Sequence, residues 1–190
     1  MTKTRILDAA TAEFAAHGLA GARVDRLADR AGVNKQLIYA YFSSKEGLFD
    51  ATLQLHIDLL LDAVPFDPYD LPGYAVALFD FATTHLELLR LLRWHTLERP
   101  GELARFEQTI GSTQRKVTAL AEAQAAGKVD ATLPPAELLA VVISIAQTID
   151  DPEPTAVGLR RNTVAAAVRR LVTPGRRMPS PVSAGRRRRT

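Results

Sequence analysis

The 190-residue chain contains no cysteine, which excludes disulfides, thiolate metal sites and cysteine nucleophiles and suits a reducing compartment. Long apolar runs are missing as well. The longest, Leu138 to Ile149, is bounded by Glu137 and Asp150 and falls short of the ~20 residues that a membrane span requires, so it reads as a buried helix and no membrane partner is expected. The opening Met1-Thr2-Lys3-Thr4-Arg5 lacks the apolar stretch and small-residue cleavage site of an export signal, and a cytoplasmic protein is expected. Strand-like alternation is scarce, and no internal repeat is found. A nucleophile with its base, a glycine-rich phosphate loop and a metal constellation are all lacking, so no cofactor or metal is expected and an enzyme is a rival reading only. His95 and Glu98 are spaced i, i+3 without a second such pair, as in a structural ion contact rather than a metal site. His17 and His56 read as surface or helix-end residues without partners.

What is present suits a folded domain. Hydrophobic residues make up 47% and charged residues 24%, and a chain of this length buries roughly 70% of its unfolded surface. The formal charge of +3 is unevenly spread: residues 173–190 carry six arginines and no acid, leaving 18 basic against 21 acidic residues, or −3, elsewhere. Residues 1–50 hold seven basic and six acidic groups, so any affinity for nucleic acid there would need local placement rather than bulk charge.

Apolar spacing predicts an all-α fold. A first helix runs from about Lys3 to His17, with Ile6, Leu7, Ala10 and Phe14 on one face and Gly18 as a left-handed stop. A second, Val24 to Ala31, stops at Gly32. Asn34 caps a third, Lys35 to Phe42, and Ser43 with Glu46, or Ser44 alone, caps a fourth that continues toward Val64. Pro65 to Gly73 breaks the pattern, and further helices are predicted near Tyr74–Arg99, with an interruption near His85, and near Gly101–Ala126, Pro135–Ile149 and Thr155–Val172. The tail beyond Thr173 is too rich in proline, serine, glycine and arginine to pack and is expected to be disordered; its Arg186–Arg189 run either adds nonspecific attraction to DNA or is simply solvated.

Two short helices joined at Gly32-Val33 and buttressed by a preceding one form a helix-turn-helix pattern. On the third helix Ile38 and Phe42 face inward, whereas Lys35, Gln36 and Tyr39 share an outer face able to meet base edges, thymine methyls and phosphates. Lys45 opposes the dipole at the start of the fourth helix and is better explained by a nearby phosphate than by helix stability.

The stretches Arg5-Ile6-Leu7-Asp8-Ala9-Ala10, Phe14-Ala15-Ala16-His17-Gly18, Leu27 to Val33, Leu37-Ile38-Tyr39-Ala40-Tyr41-Phe42 and Ser44-Lys45-Glu46-Gly47-Leu48 resemble the tetracycline-repressor (TetR) family of bacterial regulators in order and spacing over about residues 3–55. The resemblance implies that Lys35, Gln36, Tyr39, Ala40 and Tyr41 contact bases or nearby phosphates and that Lys45 binds phosphate. Asn34 joins this DNA-facing set. Arg23 stands where the family often has a threonine or serine cap, so that cap is in question and Arg23 is a candidate phosphate contact instead.

Residues 1–46 are therefore expected to form a DNA-binding domain, 47–172 a helical effector-binding and dimerisation domain, and 173–190 a basic tail. The function implied is regulation, commonly repression, from a palindromic double-stranded operator, with release by an unknown small-molecule effector. A DNA-binding protein without a ligand is the alternative. Phe79, Phe81, His85, Trp94, His95 and Phe106 either line an effector cavity or serve as core packing. Leu139, Val142, Ile143 and Ala146 on one helix and Val164, Ala165, Val168 and Leu171 on another form apolar faces that need a partner, either the chain's own core or, by analogy, a second copy in a homodimer.

Overall fold

A computed structural model describes residues 2–102, 106–148 and 157–174, and the described residues form nine helices and no strand. The last helix is described from Val157, so residues 155 and 156 of its expected start, together with the tail beyond residue 174, lie outside the described residues.

Helix α1 (Thr2–Gly21) extends beyond its expected stop: Gly18 leaves helical geometry with φ 68° and ψ −175°, and one further turn follows. A Cβ at Gly18 would lie 2.7 Å from the Glu98 carboxylate and 2.8 Å from the Trp94 ring, so glycine here meets both a positive φ and a close approach. Helices α2 (Val24–Ala31) and α3 (Lys35–Phe42) match the predicted ranges to the residue. Helix α4 (Lys45–Ala63) is capped by Ser44, whose Oγ accepts from the Gly47 N–H at 2.9 Å. The expected interruption at His85 separates α5 (Leu71–Thr84) from α6 (Leu86–Glu98), and Asp70 caps α5 through the Gly73 N–H. Helices α7 (Glu107–Ala125), α8 (Pro135–Ala146) and α9 (Val157–Val172) complete the body.

Two apolar cores result. One gathers Ile6 and Phe14 of α1, Leu27 of α2, Ile38 of α3 and Leu48, Phe49 and Leu53 of α4, and it also takes Leu88 and Leu91 of α6. The other joins Phe79 of α5, Leu120 of α7, Leu138 and Val142 of α8, and Val164 and Val168 of α9. Each large side chain so buried contributes about 1.5–3 kcal/mol relative to exposure. Leu60 of α4 and Phe81 of α5 touch both cores, so the two units share packing.

The second core supplies one of the two partners expected for the α8 and α9 faces, the chain's own core. Leu139, Val142, Ala146, Val164 and Val168 are buried within the single chain, and Ile143 and Leu171 pack against them. Helical periodicity reveals which stripe of a helix is buried but not against what, and here α5 lies against both α8 and α9.

Candidate nucleic-acid interface and ligand cavity

Asn34 Oδ1 accepts from the Leu37 N–H at 2.8 Å and starts α3. The preceding turn is set by Gly32 at φ 62° and ψ 42°. Its N–H bonds to the Asp29 carbonyl and that of Val33 to the Ala28 carbonyl, which closes α2 and lets the chain reverse within three residues. Ile38 and Phe42 are buried under α3, and Lys35, Gln36, Tyr39, Ala40 and Tyr41 are exposed, with Tyr39 at 43% and Tyr41 at 48%. The outer face expected of a groove-reading helix is therefore present.

Glu13 of α1 holds this unit together, a role that sequence reasoning did not assign. Buried almost completely, its carboxylate accepts from the Arg23 backbone N–H at 2.8 Å and from Arg26 Nε and Nη2 at 2.9 and 2.6 Å. Burial pushes the Glu13 carboxyl up, but the Arg26 hydrogen bonds, the Arg23 amide and the nearby positive charge of Arg26 together hold it below the usual glutamate range. Arg23 makes no side-chain cap for α2; its own N–H is the one held by Glu13, and its side chain is exposed.

Two lysines are engaged within the protein. Lys35 pairs with Asp25 across the turn, and both side chains remain half exposed. Lys45 Nζ reaches back toward the Ala20 and Ala22 carbonyls at 3.5 and 3.4 Å, steadying the end of α1. Sequence alone placed it only near a phosphate.

The body contains a cavity of about 630 Å³ between α4, α5, α6, α7 and the end of α8. Ile57, Leu60 and Leu61, Leu78, and Leu89 and Leu92 supply apolar walls, while Thr109, Ser112, Thr113 and Lys116 of α7 supply polar atoms. Its size is that of a small-molecule site. None of Phe79, Phe81, His85, Trp94, His95 and Phe106 is among its lining residues. Phe79 is core, and Phe81 and His85 stack on each other at 3.9 Å. His95 is buried, stacked on Phe49 with centroids 6.1 Å apart and near Phe106 at 5.9 Å, and neither ring nitrogen has a hydrogen-bond partner among the described residues. Burial lowers its pKa, with Arg99 acting in the same direction. Trp94 packs on Gly18, and its Nε1 donates to the Ala15 carbonyl at 3.3 Å. Large rings were the natural sequence candidates, yet the cores took them. The legible clue was the spacing of Thr109, Ser112 and Lys116 along one stripe of α7.

Other sequence readings also shift. Glu98 does not pair with His95; it accepts from the Leu19 and Ala20 N–H groups of α1. His17 lies 4.0 Å from Glu13, and His56 Nε2 shares a 2.9 Å hydrogen bond with Thr11, so both have partners. Among the described residues no cluster of potential metal ligands occurs and no helix is long and apolar enough to cross a membrane.

A helix-turn-helix with its reading face outward, carried on a helical body that contains a cavity, defines a DNA-binding transcriptional regulator. Residues 6–52 match the bacterial regulatory proteins of the tetR family, and residues 70–175 match the tetracyclin repressor-like C-terminal domain. The chain belongs to the TetR family of transcriptional regulators. It is 43% identical over 150 residues to the HTH-type transcriptional repressor SCO4008 of Streptomyces coelicolor, covering 76% of each chain. The crystal structure of the putative transcriptional regulator SCO4942 from the same organism superposes with a TM-score of 0.77 at 36% identity, covering 90% of this chain and 98% of that one. A third relative, the HTH-type transcriptional activator FasR of Mycolicibacterium smegmatis, is 45% identical over 60 residues, 32% of this chain and 27% of that one.

Proposed function

We propose that the protein is a cytoplasmic repressor that grips a palindromic operator as a two-fold dimer and lets go when a small molecule occupies the cavity of the body. The observation that carries this reading is the double role of α6. One side, with Leu89, Leu92 and Thr96, lines the cavity; the other, with Trp94 and Glu98, holds the kinked end of α1. Arg99, just past α6, pairs with Asp50 of α4, so the same helix is tied to both supports of the reading unit. A ligand that shifts α6 therefore changes the setting of α1 and α4, and through them the orientation of α3. It need only bind the released form better, because equal affinity for both forms would shift nothing.

In this reading residues 1–46 read DNA and 47–172 bind the effector and dimerise. Arg23, Asn34, Lys35, Gln36, Tyr39, Ala40, Tyr41 and Lys45 form the DNA-facing set, and the two recognition helices of a dimer address half-sites about 34–36 Å apart or a multiple of that. The second copy packs on the outward sides of α8 and α9, where Val141 and Leu159 are exposed apolar groups. Repression is supported by the similarity to a named repressor over most of the chain.

The test is selection of bound sequences from genomic DNA, followed by a screen for compounds that release the operator. An effector is expected to weaken operator binding with a coupling of roughly 1–3 kcal/mol. A protein that selects a palindrome yet keeps it at saturating levels of every compound that enters the cavity would be a constitutive DNA-binding protein.

A further inference from the structure

A polar stripe of α7 lines one side of the cavity, and its lysine lacks a carboxylate partner among the described residues. Thr109, Ser112 and Lys116 recur at i, i+3 and i+7 along α7, facing leucines of α4, α5 and α6. Lys116 is partly buried. Its Nζ donates to the Tyr74 hydroxyl at 3.0 Å and lies 5.2 Å from the Tyr74 ring and 5.8 Å from the Phe66 ring, and among the described residues it has no carboxylate partner. Burial lowers the Lys116 pKa, and Arg115 adds to this. Burial pushes the Tyr74 phenol up to about 12, so it remains a neutral hydroxyl beside the ammonium. Ammonium groups withdrawn from water are normally paired with an anion. Thr109 Oγ1 is buried and unpartnered, a second group whose hydrogen bond is unfilled.

We propose, building on the effector reading above, that the cavity takes an anionic amphiphile. Its acidic head is held by Lys116 and the Tyr74 hydroxyl, and its apolar body lies along Leu60, Leu78 and Leu89. A cationic ligand would meet Lys116, and among the described lining residues no acidic side chain is present to receive it. A small inorganic anion would leave the leucine wall unfilled. The class is thus an apolar molecule with one carboxylate, sulfonate or similar group.

Two dyes differing by that one group provide the test: anilinonaphthalene sulfonate and N-phenylnaphthylamine, the same aromatic amine without the sulfonate. With the full chain, the sulfonate is expected to bind about tenfold more tightly, the lower range of a charge-assisted hydrogen bond. Lys116→Met should bring that ratio close to one and leave the neutral dye within about twofold, whereas Lys116→Arg should retain the preference. Loosened folding would raise sulfonate-dye fluorescence, so a selective fall cannot arise from misfolding. A ratio unmoved by Lys116→Met, or equal loss of both dyes, overturns the anion site. Operator binding measured in the same samples separates the two readings. Selection of the sulfonate through Lys116 without operator release upholds the anion site and sinks the effector reading, and unselective dye binding with release does the reverse.

Discussion

Glu98 Oε2 accepts a hydrogen bond from the backbone N–H of Leu19 at 2.7 Å, joining two residues 79 positions apart, and its other oxygen accepts from Ala20. Glu98→Ala leaves both N–H groups without this acceptor and is expected to cost about 1 kcal/mol, because only one of them is partly buried. In a chain of this size that lowers Tm by roughly 2–4 °C. Operator affinity should fall as well, since the grip on α1 is loosened. Trp94 belongs to the same joint, so its emission is expected to change when an effector moves α6 even though the indole does not line the cavity. A Glu98→Ala protein with wild-type melting and wild-type operator affinity would refute the joint.

Tyr39→Ala should weaken operator binding by about 1–3 kcal/mol, the usual loss for one base contact, and leave the melting curve unchanged because the ring is exposed. Lys45→Ala should reduce the slope of log affinity against log salt by about one, as for a lost phosphate contact. Titrations of operator and random DNA by fluorescence anisotropy check both.

Val142 and Val168 are 0% exposed in the single chain. An aspartate at either is expected to destabilise the fold itself by several kcal/mol, because a carboxylate is buried without a partner. Leu159, 73% exposed on α9, is the better probe of association. Leu159→Asp should shift sedimentation toward the monomer and weaken operator binding while the monomer stays folded. Wild-type protein that sediments as a monomer yet protects a full palindrome would rule out the dimer.

Acid should weaken the fold through two histidines. Burial between Phe49 and Phe106 lowers the His95 pKa, with Arg99 reinforcing and Asp50 and Glu102 opposing. Burial lowers that of His56, where His85 reinforces and Glu87 and Asp8 oppose. Because both folded values lie below the ordinary 6.5, the unfolded chain takes up protons first. The stability contributed is complete above about 6.5 and is lost as pH falls through the folded values, by up to about 1.4 kcal/mol per pH unit for each group. Melting temperatures between about pH 7.5 and 5.5 should show this decline, and His95→Phe should flatten it. An unchanged pH profile in that variant would remove His95 from the account.

The reading unit was legible because short-range rules determine it. Gly32 and Asn34 fix the turn, and Ile38 and Phe42 separate the inner from the outer face of α3 within a single helix. The cavity was not legible, because its walls come from five helices whose mutual rotation no periodicity specifies. Aromatic residues such as Phe79 and Trp94 were plausible linings by type, but large rings are what cores and joints consume first, leaving leucines and one polar stripe of α7 around the space. The α8 and α9 stripes left the choice between the chain's own core and a second copy open for a related reason: nothing in either helix's pattern reveals that α5 covers them.

In the proposed DNA-facing set, the ion pair between Asp25 and Lys35 is a built-in competitor for phosphate. Any phosphate that draws Lys35 away must first displace a carboxylate, a penalty that random and operator DNA incur alike. The penalty lowers affinity for every sequence by the same factor, so the pair trims residence on unrelated sites and shortens the search through a genome while the preference for the operator is kept. Asp25→Asn is accordingly expected to tighten binding to random DNA and to operator by a similar factor, leaving the ratio between them unchanged. A gain on random DNA alone would mean that the carboxylate acts on discrimination rather than on affinity.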